Sequence, residues 1–195
     1  MIKRLFDLIL AIFGLLLLLP FFLAISILIK IDSKGSVFFI QDRVGQDTFL
    51  FKIIKFRTMI TSEEIKSTIS IKGDVRVTKF GEILRRYKID ELPELINIVR
   101  GEMSFVGPRP DVPGYADKLN GDARNILKLK PGITSLASLK YSNEELLLSQ
   151  QNNPIDYNNN IIYPDKVKMN LNYYKNHNLW IDIKIIFATI FRLNY

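Results

Sequence analysis

The chain has 195 residues, no cysteine and one histidine, and its formal net charge is +7. The lack of cysteine excludes disulfides, thiolate nucleophiles and cysteine-based zinc sites, and the lone His177 gives no support to a histidine-based triad. The length corresponds to about one domain, and the positive charge favours anionic partners. Acid–base or nucleophilic chemistry would therefore have to come from carboxylates.

Near the N-terminus lies an apolar segment, residues 5–29, in which Asp7 is the only charged residue. As a straight helix the segment would be roughly 37 Å long, which exceeds the roughly 30 Å hydrocarbon thickness of a bilayer. It is too long for a cleaved signal peptide, and no small-residue cleavage site follows it. We therefore expect the segment to be retained in the protein.

Pro20 divides this segment, because proline removes an amide donor and disfavours helical geometry at the preceding Leu19. Neither half is long enough to cross a bilayer alone. Basic residues flank both ends: Lys3, Arg4, Lys30, Lys34 and Arg43. A spanning helix usually has its Lys/Arg excess on one side, so the pattern favours a re-entrant helix-break-helix over a proline-kinked span. We predict a membrane helix over residues 1–34 and a cytoplasmic catalytic domain over residues 35–195.

The rest of the chain predicts an α+β domain that is mainly helical. Residues 36–59 are rich in Phe, Val and Ile around a Gly-Gln-Asp turn signal, which indicates a small β-hairpin. Its basic residues Lys52, Lys55 and Arg57 are interpreted as facing lipid headgroups, phosphate or solvent.

Two helical patterns follow, at 79–88 and at 91–99, and the second has Pro93 in its first turn. Three stretches are predicted as an exposed excursion, a turn-rich loop and a polar loop: residues 61–73, 101–114 and 149–160. Residues 178–193 are apolar at most positions. They indicate a helix that lies in the membrane interface or one that closes the core, and the sequence leaves both open.

Residues 89–95, IDELPEL, place Asp90 and Glu91 side by side before a proline. Acids are common at helix N-termini because the macrodipole favours them, so an isolated pair is usually structural. Here other charged residues lie within 25 residues: Arg85, Arg86, Arg100, Glu102 and Arg109. Pro108 and Pro110 stiffen the backbone on both sides of the last arginine, which suits it to bind two phosphate oxygens.

Neighbouring residues on a helix point about 100° apart, so Asp90 and Glu91 are predicted to divide the work rather than act on one atom. One carboxylate would attack a phosphorus, and the other would hold a Mg²⁺ that bridges phosphate oxygens. This chemistry needs neither cysteine nor histidine, as the composition requires.

Several stretches carry a resemblance to a known family. They are KRLFDLILA, GSVFFIQDRVG, FKIIKFRTM, DVRVTKFGEILRRYKIDELPELINIVRGEMSFVGPRP and KPGIT, which together run over nearly the whole chain. The chain resembles the bacterial sugar transferase family, the small monotopic polyprenyl-phosphate phosphoglycosyl transferases. The resemblance implies a re-entrant N-terminal helix and a Mg²⁺-dependent site on the cytoplasmic face of a bacterial inner membrane. It also implies transfer of a sugar 1-phosphate from a UDP-sugar to a polyprenyl phosphate such as undecaprenyl phosphate.

The resemblance extends to individual residues. Asp90 matches the family's nucleophile, which forms a phosphoglycosyl-enzyme intermediate and expels UMP. Glu91 is similar to the family's metal-associated acid, so Mg²⁺ is expected at Asp90 and Glu91. Arg109 matches the arginine of the Pro-Arg-Pro motif, which is associated with substrate phosphate, and the nearby Arg85 and Arg86 are further candidates for phosphate binding.

Such a reaction would start a surface glycan of the capsule, exopolysaccharide, O-antigen or glycoprotein type. The alternative is a non-catalytic membrane-bound protein that binds nucleotide sugar or anionic lipid. Nucleic-acid binding is disfavoured by the apolar segment. The sequence leaves open which sugar is transferred and whether the protein forms a homodimer.

Overall fold

The computed structural model describes residues 2–60 and 75–193, and their contacts divide the chain into two compact units. Among the described residues the first unit contains 2–42, 52–60 and 75–101, and the second contains 43–51 and 102–193. The excursion predicted at 61–73 lies outside the described residues. The predicted boundary at residue 34 depends on the position of a bilayer and stays a prediction.

The first unit is built from a long helix, most of a hairpin and two short helices. They are α1 (Ile2–Asp32), β1 (Phe38–Val44), β2 (Leu50–Phe56), α2 (Lys79–Arg86) and α3 (Glu94–Arg100). The strands β1 and β2 form a two-stranded sheet, and its turn residues 43–51 belong to the second unit. The predicted hairpin and the mainly helical α+β fold are confirmed.

The helix α1 continues through Pro20 without a non-helical residue. The helical assignment is therefore uninterrupted at the predicted break. Because a proline removes only one hydrogen bond, a helix can bend there and remain helical on both sides, so the re-entrant course of α1 stays a prediction. The helix has 31 residues and a mean hydropathy of 3.0 in its most apolar window, so it is long and apolar enough to cross a membrane by length and composition.

One face of α1 packs against the rest of the first unit. Ile29 is buried with Phe56 and Leu84, and the ring of Phe22 meets that of Phe56 at a centroid distance of 5.2 Å. Phe38 of β1 stacks on Phe56 with a centroid distance of 5.6 Å. The apolar cluster therefore ties the second half of α1 to the hairpin and to α2.

Polar contacts hold both ends of α1 to the same unit. Near its beginning, Arg4 Nη1 donates to the carbonyl oxygen of Ile98 at 2.5 Å. At its end, the Asp32 carboxylate accepts from the backbone amide of Phe80 at 3.3 Å. These contacts are 28 residues apart on the helix, so α1 is in contact with the first unit near both of its ends.

Arg57 helps to fix the chain that follows α1. It is buried and donates to the carbonyl oxygens of Ser33 at 2.7 Å and Lys34 at 2.8 Å. The interpretation of Arg57 as a residue that faces headgroups, phosphate or solvent is therefore wrong. The carbonyls at a helix C-terminus lack partners within the helix, and here a guanidinium supplies donors just beyond it.

The second unit contains a small parallel sheet and five α-helices among its described residues. The strands are β3 (Ser104–Val106) and β4 (Gly132–Thr134), and they pair with Ser104 opposite Gly132 and Val106 opposite Thr134. The helices are α4 (Leu136–Lys140), α5 (Glu144–Ser149), α6 (Pro154–Tyr157), α7 (Tyr163–Asn176) and α8 (Leu179–Ile190). The predicted polar loop at 149–160 is wrong, because it contains α6 and part of a π-helical turn, Asn158–Ile162.

The helix α8 has two different faces. Asp182 and Ile185 are buried, and Asp182 accepts a short hydrogen bond from the hydroxyl of buried Tyr173. The opposite side exposes large apolar side chains: Trp180, Ile183, Phe187 and Ile190. One face therefore closes the core of the second unit, and the other leaves an apolar surface of the kind that binds a membrane interface.

Candidate active site

Asp90 and Glu91 lie on a 3₁₀ turn, Ile89–Glu91, between α2 and α3. The turn is preceded by Lys88 in the left-handed conformation, with φ of 59°, which ends the path of α2. The expectation that Glu91 belongs to the following helix is wrong, because Pro93 caps α3 and the helix begins one residue later. The two acids are thus held on a tight turn, where Asp90 is half-buried and Glu91 is buried.

A lysine from the hairpin meets Glu91 inside the first unit. Lys55 Nζ lies 2.8 Å from Glu91 Oε1 and 3.1 Å from Glu94 Oε1. The side chains are 14% exposed for Lys55, 9% for Glu91 and 3% for Glu94, so the three charges form a buried network. Lys55 therefore contacts carboxylates, whereas the sequence was interpreted as directing it to headgroups, phosphate or solvent.

Asn97 fixes the register between α3 and β2. Its side-chain oxygen accepts from the backbone amide of Ile54 at 3.1 Å, and its side-chain nitrogen donates to the carbonyl oxygen of Lys52 at 2.7 Å. The Asn97 amide thus binds the strand edge as a neighbouring strand would. Because Asn97 is fully buried, these bonds satisfy polar groups that water cannot reach, and they hold Lys55 next to the two glutamates.

Sequence reasoning missed Glu94 and Asn97. Glu94 follows Asp90 by four residues and Glu91 by three, the spacings that place side chains on one helical face, so this signal was present in the printed sequence. Asn97 stands between isoleucines in the apolar middle of α3, where a buried amide needs partners. Neither signal identifies Lys55 as the partner of the glutamates, because Lys55 precedes Glu91 by 36 positions.

The charges of this cluster suit a divalent cation. Glu91 and Glu94 are buried with a single lysine between them, and Asp90 adds a third carboxylate nearby in the chain. No group of three or more His, Cys, Asp or Glu residues arranged to hold a metal alone is found among the described residues. Mg²⁺ typically takes one or two protein carboxylates and completes its shell with water and phosphate oxygens, so Asp90 and Glu91 fit that ion.

The two arginines predicted to bind phosphate lie in the last turn of α2. Arg85 is half-buried, and Arg86 is exposed with its guanidinium 5.9 Å from the centroid of the Tyr87 ring. Cations in the last turn are favourable for the helix itself because of the macrodipole. Both arginines belong to the same unit as Asp90 and Glu91.

Arg109 belongs to the second unit and is exposed on a firmly held segment. The carbonyl oxygen of Pro108 accepts from the amide of Gly132 at 2.9 Å, and that of Pro110 accepts from Arg43 Nη1 at 3.2 Å. The preceding Gly107 is required sterically, because an added Cβ would lie 2.1 Å from the backbone oxygen of residue 130. The backbone is therefore fixed on both sides of Arg109, as the flanking prolines predict.

Asp111, which the sequence analysis did not select, follows this motif in a basic environment. Burial raises the pKa of its carboxyl to about 6, against the opposing attraction of Lys166, Arg43 and Arg109. The hydroxyl of Tyr163 is buried and meets no partner at good hydrogen-bond geometry among the described residues. It is nevertheless close enough to Asp111 for burial and this carboxylate together to raise the pKa of Tyr163 well above its ordinary value.

Comparison with known proteins gives relatives along nearly the whole chain. A family model described as bacterial sugar transferase matches residues 1–194. The exopolysaccharide production protein ExoY of Sinorhizobium fredii is 35% identical over 204 residues, which cover 96% of this chain and 83% of that protein. The UDP-glucose:undecaprenyl-phosphate glucose-1-phosphate transferase of Klebsiella pneumoniae is 36% identical, with coverage of 97% of this chain and 39% of its own length.

A further relative differs in the sugar that its name gives. The UDP-N-acetylgalactosamine-undecaprenyl-phosphate N-acetylgalactosaminephosphotransferase of Aeromonas hydrophila is 35% identical, over 97% of this chain and 43% of that protein. The Klebsiella and Aeromonas transferases therefore agree on the type of reaction in their names and differ in the donor sugar. With a family model that matches almost every residue and relatives above 30% identity, the chain belongs to the bacterial sugar transferase family.

Proposed function

We propose that this protein is a phosphoglycosyl transferase that moves a sugar 1-phosphate from a UDP-sugar to a polyprenyl phosphate such as undecaprenyl phosphate. The products are a polyprenyl-diphosphate-sugar and UMP. The observation that carries the proposal is the half-buried Asp90 directly beside the buried, lysine-held Glu91, in a chain of this family. The reaction would supply the first membrane intermediate of a surface glycan.

Asp90 is the nucleophile of the proposed reaction. One of its carboxylate oxygens attacks the phosphorus that bears the sugar, so an aspartyl–phosphorus bond forms while the bond to UMP breaks. UMP leaves with the bonding electron pair. A phosphate oxygen of the polyprenyl phosphate then attacks the same phosphorus, and Asp90 is released as a carboxylate.

The remaining site residues are proposed to neutralise the negative charge of the substrate phosphates. Glu91 and Asp90 would hold Mg²⁺ through carboxylate oxygens, and the ion would supply neutralisation of the donor diphosphate. Lys55 holds Glu91 beside the nucleophile through the 2.8 Å ion pair before the donor binds. Arg109, Arg85 and Arg86 are proposed to bind phosphate oxygens, because guanidinium groups match their geometry with two parallel donors.

The arrangement at the membrane is part of the proposal. Both ends of α1 contact the first unit, through Arg4 and Asp32, whereas the ends of a simple span emerge on opposite sides of the bilayer. Large apolar side chains of α1 are exposed, among them Phe13, Leu16 and Phe21. These observations support a re-entrant helix at the cytoplasmic face of the inner membrane, with the exposed face of α8 in the interface.

The covalent intermediate provides a direct test. The purified protein is incubated with Mg²⁺ and a panel of UDP-sugars without acceptor, and its intact mass is measured. We expect an increase by one sugar phosphate, which peptide mapping assigns to Asp90, and its loss after undecaprenyl phosphate is added. Donor binding without any mass increase and without UMP release would instead support the non-catalytic binding protein.

A further inference from the structure

The ammonium group of Lys55 is ion-paired with two carboxylates, those of Glu91 and Glu94. A single buried carboxylate is enough to balance a buried ammonium, yet Glu91 and Glu94 both lie within 3.1 Å of its Nζ. Removing the only partner of a buried charge is strongly destabilising, because the remaining charge is left without compensation. A second carboxylate therefore allows one of the two to leave Lys55 without that penalty.

The two glutamates differ in where they are attached. Glu91 lies on the 3₁₀ turn, directly after the proposed nucleophile, whereas Glu94 is the first residue of α3. Three residues later on α3, Asn97 is bonded to the backbone of β2, so Glu94 and Asn97 share the helix face that meets this strand. Glu94 is thus attached to the element that is fixed to the strand of Lys55, and its side chain is the less exposed of the two.

We propose that Glu94 is a positioning residue that keeps Lys55 ion-paired when Glu91 turns to the cation and diphosphate of the donor. Glu94 itself touches neither substrate nor cation. Its carboxylate holds the lysine in place, and Glu91 is then available as a ligand without leaving a buried ammonium alone. The inference rests on the proposed function, because it assigns Glu91 to the cation of that reaction.

The first test needs neither metal nor substrate. Glu91→Gln, Glu94→Gln and the double variant are compared with the parent by thermal unfolding in the presence of a chelator. If either glutamate can serve Lys55, each single variant loses no more than a few degrees, whereas the double variant removes both carboxylates that lie within 3.1 Å of the ammonium and loses about 10 °C. The loss in the double variant then exceeds the sum of the two single losses.

A matched control is Glu82→Gln, which makes the same change at an exposed position of α2 in the same unit. We expect this variant to unfold within a few degrees of the parent, alone or combined with Glu94→Gln. Losses that simply add in the Glu91→Gln/Glu94→Gln variant would overturn the proposal. So would a collapse of stability in Glu94→Gln alone.

The second test measures cation binding directly, with Mn²⁺ as the probe and electron paramagnetic resonance as the readout. In Glu94→Gln, Glu91 remains the lysine's partner and becomes less available, so we expect Mn²⁺ affinity to fall about fivefold or more. Glu94→Asp keeps the charge but shortens the side chain away from Lys55, and we expect it to lose affinity similarly. The proposal would be overturned if Glu94→Asp bound Mn²⁺ as tightly as the parent while Glu94→Gln bound it weakly. In that case only the negative charge at residue 94 would matter, and not its contact with Lys55.

Failure of the inference about Glu94 can be distinguished from failure of the proposed function. A parent protein that releases UMP but whose Glu94→Gln variant binds Mn²⁺ as tightly as the parent does would retain the function and remove the inference. A parent that binds no Mn²⁺ at all would also overturn the inference. A parent that shows both the stability pattern and the loss of Mn²⁺ affinity but releases no UMP would support the role of Glu94 and contradict the transferase.

Discussion

Asp111 is a single residue whose ionisation lowers the stability of the folded protein. Burial raises its pKa to about 6, although Lys166, Arg43 and Arg109 attract the ionised form. A raised pKa means that the folded protein holds the Asp111 proton more tightly than the unfolded chain does, so ionisation opposes folding. The cost is absent below the unfolded value near 4, grows as pH rises towards 6, and is fully present above it.

We therefore predict that Asp111→Asn gains stability over the parent as pH rises. The difference in melting temperature between variant and parent should be small at pH 4, increase between pH 4 and 6, and level off above about 6.5. Thermal unfolding at half-unit pH steps measures it, and Asp122→Asn, which makes the same change at an exposed position, is the matched control. A difference that does not change with pH, or that falls as pH rises, would contradict the assignment of burial as the dominant cause.

At the scale of elements, the parts that could be predicted from the sequence are those set by local patterns. The hairpin β1–β2 and the helices α2 and α3 follow from turn signals and periodicity, and the Pro-Arg-Pro segment from its flanking prolines. The network around Lys55 could not be predicted, because it joins β2 to the turn after α2 and depends on tertiary packing. The local rule for proline predicts a break in α1 at Pro20, whereas the helical assignment continues through it, because a proline removes only one hydrogen bond.

Asn97 is the residue that joins α3 to β2 at the candidate site. Replacing it by alanine leaves the amide of Ile54 and the carbonyl of Lys52 without these buried partners, which should cost about 2–4 kcal/mol of unfolding free energy. We expect Asn97→Ala to lower the denaturant midpoint accordingly, and the exposed Asn160→Ala to leave it nearly unchanged. A loss below about 0.5 kcal/mol in Asn97→Ala would show that these bonds do not hold α3 to β2.

The steric requirement at Gly107 gives a second element-scale prediction. A methyl group there would lie 2.1 Å from a backbone oxygen, so Gly107→Ala must displace the segment that carries Arg109. We expect lower stability and a KM for the nucleotide sugar that is raised about tenfold or more. Gly121→Ala is the control, since an added Cβ there meets nothing within 4 Å, although its φ of 57° makes a small loss of stability expected. An unchanged KM in Gly107→Ala would show that donor binding does not depend on the position of Arg109.

At the scale of the whole molecule, the proposal places both ends of α1 on one side of the membrane. The chain contains no cysteine, so Ile2→Cys and Ser36→Cys each introduce a single label site on either side of the helix. We expect a membrane-impermeant maleimide to label neither site in spheroplasts and both in inside-out vesicles. Labelling of the Ile2→Cys site from the periplasmic side, with Ser36→Cys labelled only from the cytoplasmic side, would indicate a spanning helix.

The most direct test of the central claim is UMP release by the purified protein with Mg²⁺, undecaprenyl phosphate and a panel of UDP-sugars. The account predicts release with at least one sugar and its loss in Asp90→Asn, which should melt within a few degrees of the parent. Asp122→Asn serves as the matched control and should release UMP at the rate of the parent. Undiminished UMP release by a correctly folded Asp90→Asn protein would contradict the account, because a nucleophile cannot be dispensable.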